Sequence, residues 1–129
     1  MVKMKEVVVD THALIWFLED HPRLPGKAKL VLADEQSKLL IPVIVLCELL
    51  YYLKKQGRQA IFPEIFQQLE KDSRVLLLPL TPQHTLQMRV DLEMHDAIIF
   101  LYLGIYDRAF LMSKDSMFIN IAKGRLIWN

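Results

Sequence analysis

Apolar residues along the chain follow two rhythms. EVVV, KLLI, VLLL and AFLM, at residues 6–9, 38–41, 75–78 and 109–112, are short unbroken runs, each closed by a polar residue or a proline. Runs of this length without alternation predict strands buried on both faces. The longer segments between them predict helices at 11–18, at 27–34 after the Pro25-Gly26 break, and at 42–55, opened by Pro42 and ended by Gly57. Further helices are predicted at 58–72, bent or delayed by Pro63, at 81–90 with Thr81 as cap, and at 96–106. A short helical turn from Asp115 to residue 121 and a last edge strand at 126–128 complete the pattern. Strands alternating with helices predict the α/β class: a three-layer α/β/α sandwich around a mainly parallel sheet of four to five strands. Sites in such sheets lie outside the carboxyl ends of the strands, where the strand order reverses.

Composition narrows the picture. A chain of 129 residues suits one domain spanning 1–129, and 53% hydrophobic with 24% charged residues excludes disorder. The lone cysteine excludes an internal disulfide framework, and the apolar run around Cys47 predicts a buried, inert thiol. The opening MVKMKEVVVD has lysines, but its apolar stretch is too short for a signal peptide and lacks a small-residue cleavage site. The longest apolar stretch, 39–53, is broken by Pro42 and Glu48 and falls short of the ~18 residues a membrane span needs. A soluble cytoplasmic protein without a membrane partner is expected. Net charge is +1, so no global field attracts nucleic acid and phosphate binding must be local. The local clusters are Lys54, Lys55 and Arg58; Lys27 and Lys29; and Lys114 with Lys123 and Arg125, all equally explicable as solvated faces.

Four carboxylates carry the candidate chemistry. Asp10 follows the first strand, Asp96 opens an apolar helix and Asp115 follows the fourth strand; each alone is explained as a helix N-cap. Glu48 is not. It is the only charge in VIVLCELLYYL, neither flank supplies a cation, and a bare carboxylate among apolar neighbours is costly. A buried arginine from elsewhere would answer that, and so would a metal or an acidic cleft. The four can converge on one edge of the sheet, where their mutual repulsion calls for a divalent cation. All-oxygen donors suit Mg²⁺ or Mn²⁺ rather than zinc.

Three stretches resemble one family. VVVDTHALIWFLEDHPRLPGKA, LLIPVIVLCELLYYLKKQG and LEMHDAIIFLYLGIYDRAFLMSKDSMFI are similar, in order and spacing, to the motifs of PIN-domain toxins of the VapC type. The similarity runs from about Val7 to Ile121. It implies Asp10, Glu48, Asp96 and Asp115 as a catalytic quartet, with Asp10, Asp96 and Asp115 as metal ligands and Ser113, Thr11 and His95 in support. It also implies an RNA substrate cut to 5′-phosphate and 3′-hydroxyl ends, an antitoxin partner and a homodimer. The chain departs from the family pattern at Ile41-Pro42-Val43, which lacks the usual Ser or Thr, and after Asp96, where Ala97, Phe100 and Leu101 replace an arginine and small residues.

Three other classes share some of these features. A PIN-like domain with weakened catalysis would serve as an RNA- or protein-binding module. A phosphoacceptor receiver domain would need paired acids after the first strand and an Asp after the third, where Leu78-Pro79 stands. A His-Asp phosphohydrolase built on His95-Asp96 would need further helical His ligands, and His12, His21 and His84 are wrongly spaced for it. His95 is expected to orient its helix or border the pocket.

Overall fold

Val7, Val8 and Val9 have no exposed surface, because their strand is the centre of the sheet. The computed structural model describes residues 5–128. Its strands are β1 (Lys5–Val9), β2 (Ser37–Pro42), β3 (Val75–Leu78), β4 (Phe110–Met112) and β5 (Leu126–Ile127). They lie in the order β3-β2-β1-β4-β5, and every pairing is parallel. The sheet thus has the larger of the two expected strand counts, with no antiparallel member. Val7 stands opposite Leu39 on one side and Phe110 on the other.

The helices are α1 (Thr11–Leu18), α2 (Gly26–Ala33), α3 (Val43–Lys55), α4 (Phe62–Lys71), α5 (Met94–Ile105) and α6 (Phe118–Ile121). From β1 the chain moves outward to β2 and β3, then returns across β1 to β4 and β5. Right-handed crossovers put α1 to α4 on one face and α5 and α6 on the other. Connections therefore leave β1 and β4 in opposite directions, opening a crevice at their carboxyl ends. No helix of the described residues is long and apolar enough to cross a membrane.

Local chemistry explains where the elements begin and end. Pro42 ends β2 and stands at the cap position of α3 in an extended conformation (φ −64°, ψ 147°), so the helix starts at Val43, one position later than expected. At the other end Gly57 takes φ 67°. Its N–H donates to Lys54 O at 3.0 Å and that of Arg58 to Leu53 O at 2.8 Å, the paired bonds of a Schellman stop. The buried face of α3 is Val45, Leu46, Leu49 and Leu53. Cys47 is rotated away from that face and is exposed, contrary to the expected buried thiol. The predicted helix 81–90 is instead a 3-10 turn, Pro82–Gln87. Leu86 and Val90 are 87% and 97% exposed, so no apolar face exists to hold a longer α-helix there.

One side chain closes the corner between α2, α4 and β3. Arg74 donates through Nη1 to Leu32 O (2.7 Å) and Asp34 O (3.0 Å), and through Nε and Nη2 to the Asp72 carboxylate (3.2 and 3.0 Å). The guanidinium holds the Asp72 carboxyl below its ordinary value despite some burial. Arg74→Met removes charged hydrogen bonds to carbonyls at the end of α2, and the expected loss is about 1.5–3 kcal/mol. It should read as a lower urea midpoint with an unchanged slope.

Candidate active site

The last three residues of β1, Val7, Val8 and Val9, are buried and apolar, and Asp10 is the first residue past its end. Asp10 is 8% exposed. Its Oδ1 accepts the Thr11 N–H (2.7 Å) at the start of α1, its Oδ2 accepts the Ser113 hydroxyl (2.8 Å) from the end of β4, and His95 Nε2 lies 3.2 Å from Oδ1. Burial alone would raise the Asp10 pKa, but the bonds from His95, Ser113 and Thr11 outweigh it and hold the carboxyl below its ordinary value. His95 shifts the opposite way. The Asp10 hydrogen bond raises it, burial opposes, and the charges of Asp10, Glu48 and Asp96 add to the rise.

His95 also answers the Glu48 question. Its Nδ1 is buried and lies 2.9 Å from Glu48 Oε1, an ion-pair contact whose angles fall short of a hydrogen bond. Thr11 Oγ1 donates to the same oxygen at 2.6 Å. The Glu48 side chain is 41% exposed. It is therefore neither bare nor deeply buried: a hydroxyl from α1 and an imidazole from α5 meet it at the mouth of a cleft.

Asp96 is not the cap of α5. Glu93 is, its Oε2 accepting the Asp96 N–H at 3.3 Å. That frees the Asp96 carboxyl, whose pKa is raised by partial burial and by repulsion from Asp115 and Glu93. Asp115 forms a local turn, its Oδ1 accepting the Met117 N–H at 3.0 Å, while its own N–H donates to Ser113 Oγ at 3.1 Å. Ser113 thus joins Asp10 to the Asp115 turn.

All four predicted acids line one open cleft of about 580 Å³ at the crevice between β1 and β4. Glu93 and Lys114 line it too, and sequence reasoning missed both as site residues. The signal for Glu93 was its place three residues before Asp96, the spacing of a cap to the N–H it accepts. Lys114 was legible only as part of a basic cluster. Of that cluster, Arg125 is consumed inside the fold, donating to Ala109 O, Leu103 O and Tyr106 O at 2.8–2.9 Å.

The lining carries five carboxylates, two serine hydroxyls (Ser113 and Ser116) and the imidazoles of His12 and His95, a set in which oxygen donors predominate, as a hard divalent cation prefers. Among the described residues no three Asp, Glu, His or Cys side chains are grouped as a ready-made cage. Mg²⁺ keeps several waters and is held through one or two carboxylates, so the set fits it without such a cage. The Asp96 pKa is raised first by partial burial and then by repulsion from Asp115 and Glu93, and a bound cation would offset that repulsion.

Residues 7–124 match the family model for the PIN domain, and the chain belongs to that family. No curated protein sequence matches it. Among solved structures it is similar to a chain of VapBC2 from Rickettsia felis bound to a DNA fragment from the promoter. That match has 19% identity and a TM-score of 0.68, covering 96% of this chain and 99% of that one. It is also similar to a chain of a toxin–antitoxin complex from Klebsiella pneumoniae, with 17% identity and a TM-score of 0.62, covering 94% and 95%. At these identities the likeness is one of fold, and it extends over nearly the whole of each chain.

The Asp10–His95 pair sets a pH window for stability. Asp10, with its pKa lowered from 3.8, contributes stability above that value and loses it as pH falls through the folded pKa. His95, raised from 6.5, contributes fully below that value and loses it as pH rises through its folded pKa. The melting-temperature difference between wild type and His95→Ala in EDTA should therefore be widest between pH 3.8 and 6.5 and narrow on both sides. Thermal melts at pH 3, 5.5 and 9 check it; a constant difference would refute it.

Proposed function

We propose that the chain is a divalent-metal-dependent endoribonuclease that hydrolyses RNA phosphodiester bonds, and that it is the toxin of a toxin–antitoxin pair. The observation that carries the reading is the convergence of Asp10, Glu48, Asp96 and Asp115 on one cleft at the switch point of a PIN-domain sheet. The fold shared with chains of two toxin–antitoxin structures supports an antitoxin partner. In this reading the protein works in the cytoplasm as a homodimer.

When bound, Mg²⁺ or Mn²⁺ lowers the pKa of its water from about 15.7 towards neutrality and offsets charge on the scissile phosphate. Asp10, Asp96 and Asp115 are the residues that would hold the ion. Ser113 and His95 fix the Asp10 carboxylate so that it does not turn away. Glu48, held by Thr11 at 2.6 Å, orients the attacking water and accepts its proton. Attack at phosphorus expels the 3′ oxygen, leaving 5′-phosphate and 3′-hydroxyl ends.

Cleavage of single-stranded RNA should appear in Mg²⁺ or Mn²⁺ and vanish in EDTA. Asp10→Asn and Asp96→Asn should each lower the rate by more than about a hundredfold, above the 10–100-fold usual for a residue that only supports a metal ligand. Cleavage that survives chelation and both substitutions would sink the reading.

A specific observation favours a second reading. His95 stands between Asp10 and Glu48, where it already offsets both charges. A PIN domain that has given up catalysis to act as an RNA- or protein-binding module would keep such an arrangement and need no ion. Titration calorimetry separates the two: the nuclease binds Mg²⁺ and Asp10→Asn abolishes the binding, whereas the module gives no heat with either.

A further inference from the structure

Lys114 lies in a cleft lined by five carboxylates, yet among the described residues it forms no ion pair with any of them. Its ammonium is held instead over the ring of Trp16, 5.6 Å from the centroid. That ring is well braced. His21 stacks on it at 4.8 Å, Trp128 approaches at 5.9 Å, and the edge of His12 meets it at 5.9 Å. A flexible lysine on a fixed aromatic pedestal is a cation kept out of reach of its own acids.

Among the described residues no other Lys or Arg lines this cleft. Elsewhere Lys29 pairs with Asp20 and Arg58 with Glu19, and Arg125 is bound to backbone carbonyls. With a net charge of +1 the whole chain offers little general attraction to a polyanion. A strand of RNA entering an acidic cleft needs a fixed positive contact at its edge, and Lys114 stands there between Ser113, which bonds Asp10, and Asp115.

We propose that Lys114, braced over Trp16, is a positioning residue that binds a backbone phosphate of single-stranded RNA beside the scissile one. The inference rests on the endoribonuclease reading. A phosphodiester is the anion the lysine lacks: with its ammonium over Trp16 it forms no ion pair with a carboxylate of the described residues.

The test uses the full-length protein and a fluorescein-labelled single-stranded oligoribonucleotide, with binding measured by anisotropy in EDTA and cleavage measured in Mg²⁺. Lys114→Ala should weaken binding and raise KM about three- to tenfold, with the loss falling on KM rather than kcat. The slope of log affinity against log salt should shrink by about 0.7, the value of one single-strand phosphate contact. Lys114→Arg should restore both, and Trp16→Leu should shift them in the same direction as Lys114→Ala. Unchanged affinity, KM and salt slope in Lys114→Ala overturn the inference even when the protein is an active nuclease. A loss confined to kcat also overturns it. Binding that depends on Lys114 without any cleavage upholds the lysine–phosphate contact but defeats the nuclease reading and, with it, the placement beside a scissile phosphate; absence of both binding and cleavage defeats the two together.

Discussion

Asp10 is a carboxylate held in the interior of a parallel sheet's edge, and its need for partners organises the site. A buried charge without hydrogen bonds costs several kcal/mol, far more than a single exposed ion pair returns. Here the compensation comes from three places: the first N–H of α1, the Ser113 hydroxyl at the end of β4, and the imidazole of His95 in the first turn of α5. Each bond that makes the charge tolerable also fixes an element. The set that stabilises Asp10 therefore aligns the carboxyl ends of β1 and β4 and the start of α5, which are the walls of the cleft.

The acids of the cleft are not equivalent as a result. Asp10, enclosed by donors, has its pKa lowered; Asp96, partly buried and with carboxylate neighbours, has its pKa raised. Environments that push paired titratable groups apart are the usual means of dividing chemical roles. Asp10 behaves as a permanent anion around which the site is built. Asp96 and Asp115 share an unrelieved repulsion, the part of the site that gains most from a cation. Such a site trades some stability for readiness to bind.

Much of this frame was legible because parallel strands with both faces covered leave continuous apolar runs, and helix α1 and strand β3 fall where the pattern puts them. The errors share one physical origin, that burial is decided by contacts across the chain. Cys47 lies in an apolar run, but the run is helical, so some of its residues must face solvent. The helix expected at 81–90 shrank to a 3-10 turn because no partner covers Leu86 or Val90. Glu48 was correctly singled out as needing a partner. The partners it has, Thr11 and His95, are invisible from its own flanks because they come from α1 and α5.

The same reasoning bears on the segment Ser113-Lys114-Asp115. Just past the end of β4 the three residues serve three different purposes: a hydroxyl turned inward to Asp10, an ammonium turned outward to Trp16, and a carboxylate facing the cleft. A strand alternates its side chains, and this alternation, carried beyond the sheet, turns the cation away from the hydroxyl that bonds Asp10 and from the carboxylate of Asp115. Were the lysine to fold inward, it would neutralise Asp115 or Glu48 and remove the charge a divalent cation requires. Trp16, on the helix that Asp10 caps, favours the outward position by the modest energy of a cation–π contact. The cap that starts α1 and the pedestal that α1 carries are thus two ends of one arrangement, which keeps negative charge inside the cleft and positive charge at its rim.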